Sequence, residues 1–389
     1  MAALLLTCGG LLYRAFDRVR HVDPGFRTDH LLTFQLALPE ASYPTREKRL
    51  VFWDALDRRL NALPGVESAG LVTCAPFGCH WGTFFKMEGE APPAPGSSRP
   101  VTLYRYATAD YFRTAGIRLK EGRFFTDQDD REGHTGKENE NKPPQVAIVN
   151  ETFARTFWHD GRSPIGRRVS FNNDKPEWFT VVGYVADVRH YGLERPMRPG
   201  IYFPLPARAA DTMTVVLRTK VDPEAIVPSA RAALRDADPE LPLFRPRTME
   251  QSIRQSLGVR AMYSWMLGIF AALALVLAVG GAYGVATYLV TQRTREIGIR
   301  VALGAQTSDI LRTVVGRGLA VVSIGVGLGV LASFGAAKKI SSLLFGVSPH
   351  DATILTAVVG ILVLTALVAN TLPARRAARI DPMRTLRTD

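Results

Sequence analysis

The chain has 389 residues, 47% of them hydrophobic and 22% charged, with 48 Lys and Arg against 36 Asp and Glu, a formal charge of +12 and three cysteines. That length exceeds one typical domain, the apolar fraction excludes a disordered chain, and so few cysteines exclude a disulfide-dense secreted scaffold. Three uncharged runs, 261–292, 318–337 and 352–374, hold 32, 20 and 23 residues. Since a spanning helix needs about 20 residues, they exclude a purely soluble enzyme.

At the start of the chain, Met1 to Tyr13 is uncharged and mostly apolar. A helix of that length rises only about 20 Å, against about 30 Å of hydrocarbon. The basic start and small-x-small cleavage site of a signal peptide are missing. Residues 1–16 therefore read as a truncated first transmembrane helix, with a short re-entrant or interfacial segment as the alternative. Cys8 is expected to be a lipid- or helix-facing thiol.

Residues 17–260 read as one extracytoplasmic α+β domain. Leu31 to Leu38 suits a strand, Thr45 to Leu63 has helical spacing (Leu50, Trp53, Leu56, Leu60), and Val66 to Val72 suits a second strand. The same β-α-β order returns in Met213 to Arg218, Pro223 to Ala237 and Leu243 to Arg247. Two such units separated by a long insertion predict a ferredoxin-like half with an inserted second lobe. Strands at Gln145 to Val149, Arg167 to Phe171, Phe179 to Asp187 and Gly200 to Phe203, with a short helix after Asn150, belong to that lobe. The Pro-rich stretch from Pro92 to Ser98 and the stretch Asp127 to Pro144 read as loops.

Catalytic signatures are missing from the sequence. There is no P-loop G-x-x-x-x-G-K-[ST], no H-E-x-x-H and no G-x-S-x-G. Asp127 to Glu138 approaches a calcium-binding EF-hand loop, but Arg131 takes a ligand position and Gly133 falls one residue late, so a solvated acidic loop is expected. No metal site, cofactor or catalytic residue is assigned. Cys74 and Cys79 have four residues between them. In an oxidising compartment they suit a local disulfide; two free thiols, or a metal site with His80, are the alternatives.

The three runs predict transmembrane helices at 261–292, 318–337 and 352–374. Gly280 and Gly284, and Gly325 and Gly329, each place small residues on one helical face. Such spacing permits close helix packing, or reflects the tolerance of spanning helices for glycine. No charged residue interrupts the runs, which does not support an ion pathway through the bundle. The 293–317 loop and the basic tail 375–389 each carry a net charge of +3, whereas 338–351 carries +1. The positive-inside rule then places the loop and tail in the cytoplasm and residues 14–260 outside. This topology accounts for the arginine clusters without nucleic-acid binding.

Between the first two full-length runs, Arg293 to Ala305 is expected to extend the preceding helix as a short amphipathic segment. Ile297 is four residues from Val301, Glu296 is four from Arg300, Gly304 marks the stop, and Thr307 or Ser308 caps the next helix. Such a segment either docks a partner or floats in the membrane interface.

Three stretches in this order and spacing closely resemble the C-terminal FtsX-like permease domain of MacB-type ABC transporters: Arg295 to Ala305, Leu343 to Pro349, and Pro373 to Pro382. Residues 31–248 resemble the periplasmic core of the same family, and the whole is similar to the duplicated orphan permeases of acidobacteria. The resemblance implies a multi-pass permease of the bacterial inner membrane, working by mechanical transmission in efflux or extrusion. An ABC ATPase partner would bind the ATP and dock through Arg295, Glu296, Ile297, Gly298, Arg300, Val301, Leu303 and Gly304. Further partners implied are a second permease module or a homodimer, a periplasmic adaptor, an outer-membrane channel and membrane lipid. An FtsX-like scaffold that regulates an external protein without export is the alternative. The short first helix departs from the family pattern, so the chain is either a complete permease or one module of a longer one.

Overall fold

The computed structural model describes residues 1–79, 81–90, 100–131, 145–171, 177–207, 209–292, 307–339 and 346–377. In chain order these form α1 (Ala2–Arg20), β1 (Leu31–Ala37), α2 (Arg46–Asn61), β2 (Val66–Val72), β3 (Gly82–Phe84), β4 (Lys86–Met87), β5 (Val101–Ala107), α3 (Tyr111–Ala115), β6 (Leu119–Gly122), α4 (Asp127–Arg131), β7 (Val146–Asn150) and α5 (Glu151–Phe157). There follow β8 (Arg168–Ser170), β9 (Phe179–Val185), β10 (Gly200–Pro204), β11 (Thr212–Thr219), α6 (Pro223–Ala237), β12 (Phe244–Thr248), α7 (Met249–Gln292), α8 (Thr307–Lys339) and α9 (Ala352–Ala377). The chain divides into two compact units, Val22–Leu257 and Met1–His21 with Gly258–Asp389.

The Val22–Leu257 unit is built on a twelve-stranded sheet. One half has the order β12-β1-β11-β2, with β1 antiparallel to both neighbours and β11 antiparallel to β2. Alternation along β1 explains the two layers around it. Leu32, Phe34 and Leu36 face a core built with α2 and α6, while Leu31 faces a second core built with α3. Helix α2 starts where the Thr45 hydroxyl accepts the Lys48 N–H, with Glu47 in its first turn and Arg58 and Arg59 in its last. Its buried stripe, Leu50, Trp53, Leu56 and Leu60, supplies much of the first core, and Trp53 Nε1 donates to the Ala210 carbonyl at 2.9 Å. On the opposite face α3 lies on bare backbone: a Cβ at Gly70 would stand 2.6 Å from the Tyr111 Cα, so only glycine admits this approach.

Strand β5 joins the halves. It meets β2 through Val72 and Ala107 and runs parallel to β10, after which the order continues β7-β9-β8-β4, with β3 on β5 and β6 on β9. Phe85, Phe153, Phe157 and Phe203 pack the core of this second half, with Phe85 4.8 Å from Phe157 and 5.0 Å from Phe153 between ring centroids. Strand β5 and the short β3, β4 and β6 add to the sequence reading. The loop expected from Asp127 is helical over Asp127–Arg131, and Asp129 is not solvated. Its carboxylate is 7% exposed and accepts from the Arg123 guanidinium and from the Thr126 N–H and hydroxyl.

In the other unit, α1 packs against α8 and α9, burying Ala3, Leu11 and Ala15 with Val347, Ile354, Val358 and Leu362. Cys8 is buried there. Among the described residues, two helices are long and apolar enough to cross a membrane: α7, which begins twelve residues ahead of the apolar run at 261, and the Ala352–Thr371 part of α9. Helix α8 contains a shorter apolar stretch, Val322–Ala336.

Candidate coupling site

Arg295, Glu296, Ile297, Gly298, Arg300, Val301, Leu303 and Gly304, expected from the family resemblance to engage an ATPase partner, lie outside the described residues. The helices on either side are described: α7 ends at Gln292 and α8 begins at Thr307. In the last turns of α7 the Thr287 and Thr291 hydroxyls donate to the carbonyls four residues back, each at 2.9 Å, and Gln292 Nε2 donates to the Tyr288 hydroxyl at 3.1 Å. These side chains satisfy their own helix.

The four singled-out glycines divide by environment. A Cβ at Gly329 would stand 2.5 Å from the Ala3 Cβ, so α1 and α8 approach closely there. A methyl group at Gly280, Gly284 or Gly325 would meet nothing within 4 Å among the described residues.

A junction that sequence reasoning missed lies at the other end of α1. Arg14 Nη1 donates to Asp351 Oδ1 at 2.7 Å, and the same carboxylate oxygen accepts the Thr353 N–H at 3.1 Å. Asp351 therefore caps α9 and ties it to α1. The signal in the sequence was an aspartate directly before an apolar run.

In the Val22–Leu257 unit, Cys74 and Cys79 form a disulfide with Cα atoms 5.5 Å apart. The Cys74 carbonyl accepts from Nε of Arg105 at 3.2 Å. Arg105 sits in the middle of β5, 1% exposed, with its guanidinium carbon 5.8 Å from the Tyr202 ring centre. Tyr202 in turn meets His190 Nε2 at 3.1 Å through its hydroxyl. Elsewhere in the unit, the half-buried carboxyl of Asp57 on α2 is pushed up to about 7 by burial and by the nearby Asp110 and Asp54 carboxylates. Among the described residues no cluster of His, Cys, Asp and Glu is placed to hold a metal ion.

The model of the MacB-like periplasmic core domain family matches residues 22–233, more than half of the chain. The chain belongs to that family. Residues 268–382 match the FtsX-like permease C-terminal family, so this member joins the periplasmic core to an FtsX-like helical part. Over 315 residues the chain is 26% identical to the macrolide export ATP-binding/permease protein MacB of Burkholderia cenocepacia, covering 76% of this chain and 44% of that protein. It is 25% identical over 280 residues to the uncharacterized ABC transporter permease YknZ of Bacillus subtilis, covering 71% and 68% respectively. Among solved structures, the periplasmic region of MacB from Actinobacillus actinomycetemcomitans aligns with a TM-score of 0.38 at 15% identity, over 63% of this chain and 98% of that one. The chain spans about half the length of the MacB relatives it matches.

Proposed function

We propose that this family member is a permease subunit of an ABC exporter of the inner membrane, converting ATP hydrolysis by a partner into movement of its Val22–Leu257 unit. The observation that carries this reading is the continuity of the FtsX-like match, 268–382, with the periplasmic core match in one chain of 389 residues that contains no P-loop. ATP must then be bound outside these residues. The relatives named ATP-binding/permease proteins support an ABC ATPase as that partner.

The ATPase engages the segment from Arg293 to Ala305, where Ile297 and Val301 fill an apolar groove and Glu296 and Arg300 orient the turn by their i, i+4 spacing. The chain crosses the membrane through three full-length helices at 261–292, 318–337 and 352–374 together with α1, and its loop 293–317 and tail 375–389 are cytoplasmic. The strand order β12-β1-β11-β2, with α2 and α6 on one face, supports a ferredoxin-like porter half carrying an inserted lobe. A second permease module or a second copy completes the transporter, and Gly280, Gly284 and Gly325, open within this chain, are available for that contact. A periplasmic adaptor and an outer-membrane channel extend the path. The cargo passes beside the moving external unit and not through a charged pore, in keeping with the uncharged runs.

The Ile297→Asp variant tests the docking segment. It should insert and accumulate normally, because the long apolar runs dominate insertion, yet lose co-purification with the ATPase and stimulation of its hydrolysis. Wild-type binding and stimulation would assign the segment to the membrane interface instead.

A further inference from the structure

Arg105 occupies the strand that joins the two halves of the sheet, and its guanidinium is buried. A guanidinium stays charged in proteins, and withdrawing it from water costs several kcal/mol unless other groups replace its hydration. Arg218, also buried, has such replacements. It donates to the carbonyls of Thr114, Asp29 and Arg27 at 2.8, 3.0 and 3.3 Å, and the Asp29 carboxylate lies 4.0 Å away. Arg105 has the Cys74 carbonyl and the face of Tyr202. Among the described residues it forms no ion pair.

The cavity beside Arg105 accentuates this imbalance. Its wall includes Arg189, His190, Arg195, Arg198 and Asn150 and, among the described residues, no aspartate or glutamate. Neither Arg195 nor Arg198 forms an ion pair among the described residues; the Arg198 guanidinium lies 5.1 Å from the centre of the Tyr191 ring. Glu194, the acid of the same loop, turns back over Gly192, with its carboxylate 2.8 Å from where a Cβ would stand. The enclosed space is about 10 Å³, the room of a single oxygen atom. Asn150 fixes the floor: its Oδ1 accepts the Gly200 and Phe153 N–H groups at 2.8 and 2.9 Å, and its Nδ2 donates to the Arg198 carbonyl at 2.9 Å.

We propose that this cavity is an oxyanion site for a small molecule. One oxygen of a carboxylate or phosphate group enters the space beside Arg105, and the remaining oxygens are held at the solvent rim by Arg198 and Arg195. A planar guanidinium fork matches either group, and charge-assisted hydrogen bonds in a shielded site are the strong ones. Filling the site would supply the counter-charge that Arg105 lacks at the joint between the two halves of the sheet.

The full chain in detergent, at constant ionic strength, is titrated calorimetrically with inorganic phosphate, acetate and chloride in separate experiments. Saturable binding of phosphate or acetate is expected, and which of the two binds tells a phosphate ligand from a carboxylate. Arg198→Ala, an exposed rim change that spares the core, should weaken that binding by about tenfold, the value of one charge-assisted contact. Arg105→Met should abolish it; should Arg105→Met fail to fold, the Arg198→Ala comparison decides alone. No saturable binding of either oxyanion, equal affinity in Arg198→Ala, or equally tight chloride binding would each overturn the proposal.

Discussion

At the scale of single residues, the buried polar groups of the α+β unit are its least sequence-legible feature. Asp57 reads as one more polar position on a charged helix, yet Oδ1 of its carboxylate is buried without a hydrogen-bond partner. Its neighbours Asp54 and Asp110 already pair with Arg58 at 2.6 Å and Arg113 at 2.9 Å, so little positive charge remains for it. Because its folded-state value is raised to about 7 from an ordinary 3.8, the folded chain holds this proton more tightly than the unfolded one. The resulting stabilisation is complete below the ordinary carboxylate range and is lost as pH rises towards 7. Asp57→Asn should therefore be more stable than the wild type at pH 8, by about 1–2 kcal/mol, with the advantage shrinking at pH 5. Denaturant unfolding of the purified chain at the two pH values measures this, and an advantage that does not depend on pH would contradict it. Arg105 was hidden for a related reason. A charged residue at an inward position of Val101–Ala107 breaks the apolar alternation by which a strand is recognised, so both the strand and its buried cation escaped notice.

Among the elements, those that were legible carry their own start signals. Thr45, Asn150 and Asp222 each accept an N–H from the first turn of the helix they precede; β1 and β11 alternate loosely, and β2 ends on the apolar run Ala69 to Val72. By contrast β3, β4 and β6 have three, two and four residues, too few to show a period, and α3 has five. The position of α3 is set by the missing side chain of Gly70 and not by any pattern of its own. The glycine pairs of the apolar runs show the same limit: their spacing marks a smooth helical face, and only the fold distinguishes Gly329, which meets α1, from Gly325, which does not. Gly329→Leu should separate α1 from α8 and lower the thermal unfolding midpoint of the detergent-solubilised chain by several degrees, equivalent to about 1–3 kcal/mol. Gly325→Leu should leave the isolated chain unchanged and affect only its pairing with a second permease module. Equal loss from both substitutions would assign the two glycines the same packing role.

For the whole molecule, the proposed orientation rests on charge. Net charges of +3 on 293–317 and on 375–389, against +1 on 338–351, are the basis on which the positive-inside rule leads us to propose a cytoplasmic loop and tail. A membrane-impermeant thiol reagent added from outside should label Ser97→Cys and spare Thr307→Cys, and the reverse pattern would contradict the orientation.

Under the proposed function, ATP used by a partner at 293–305 moves the Val22–Leu257 unit. Spin labels at Val51, 63% exposed on α2, and at exposed Ser348 place one probe in each unit. Their distance distribution is measured in the reconstituted complex with the ATPase, without nucleotide and with ATP trapped. The expected result is a nucleotide-dependent shift that disappears in Ile297→Asp; identical distributions in a complex whose ATPase is bound and turning over would contradict transmission through this chain.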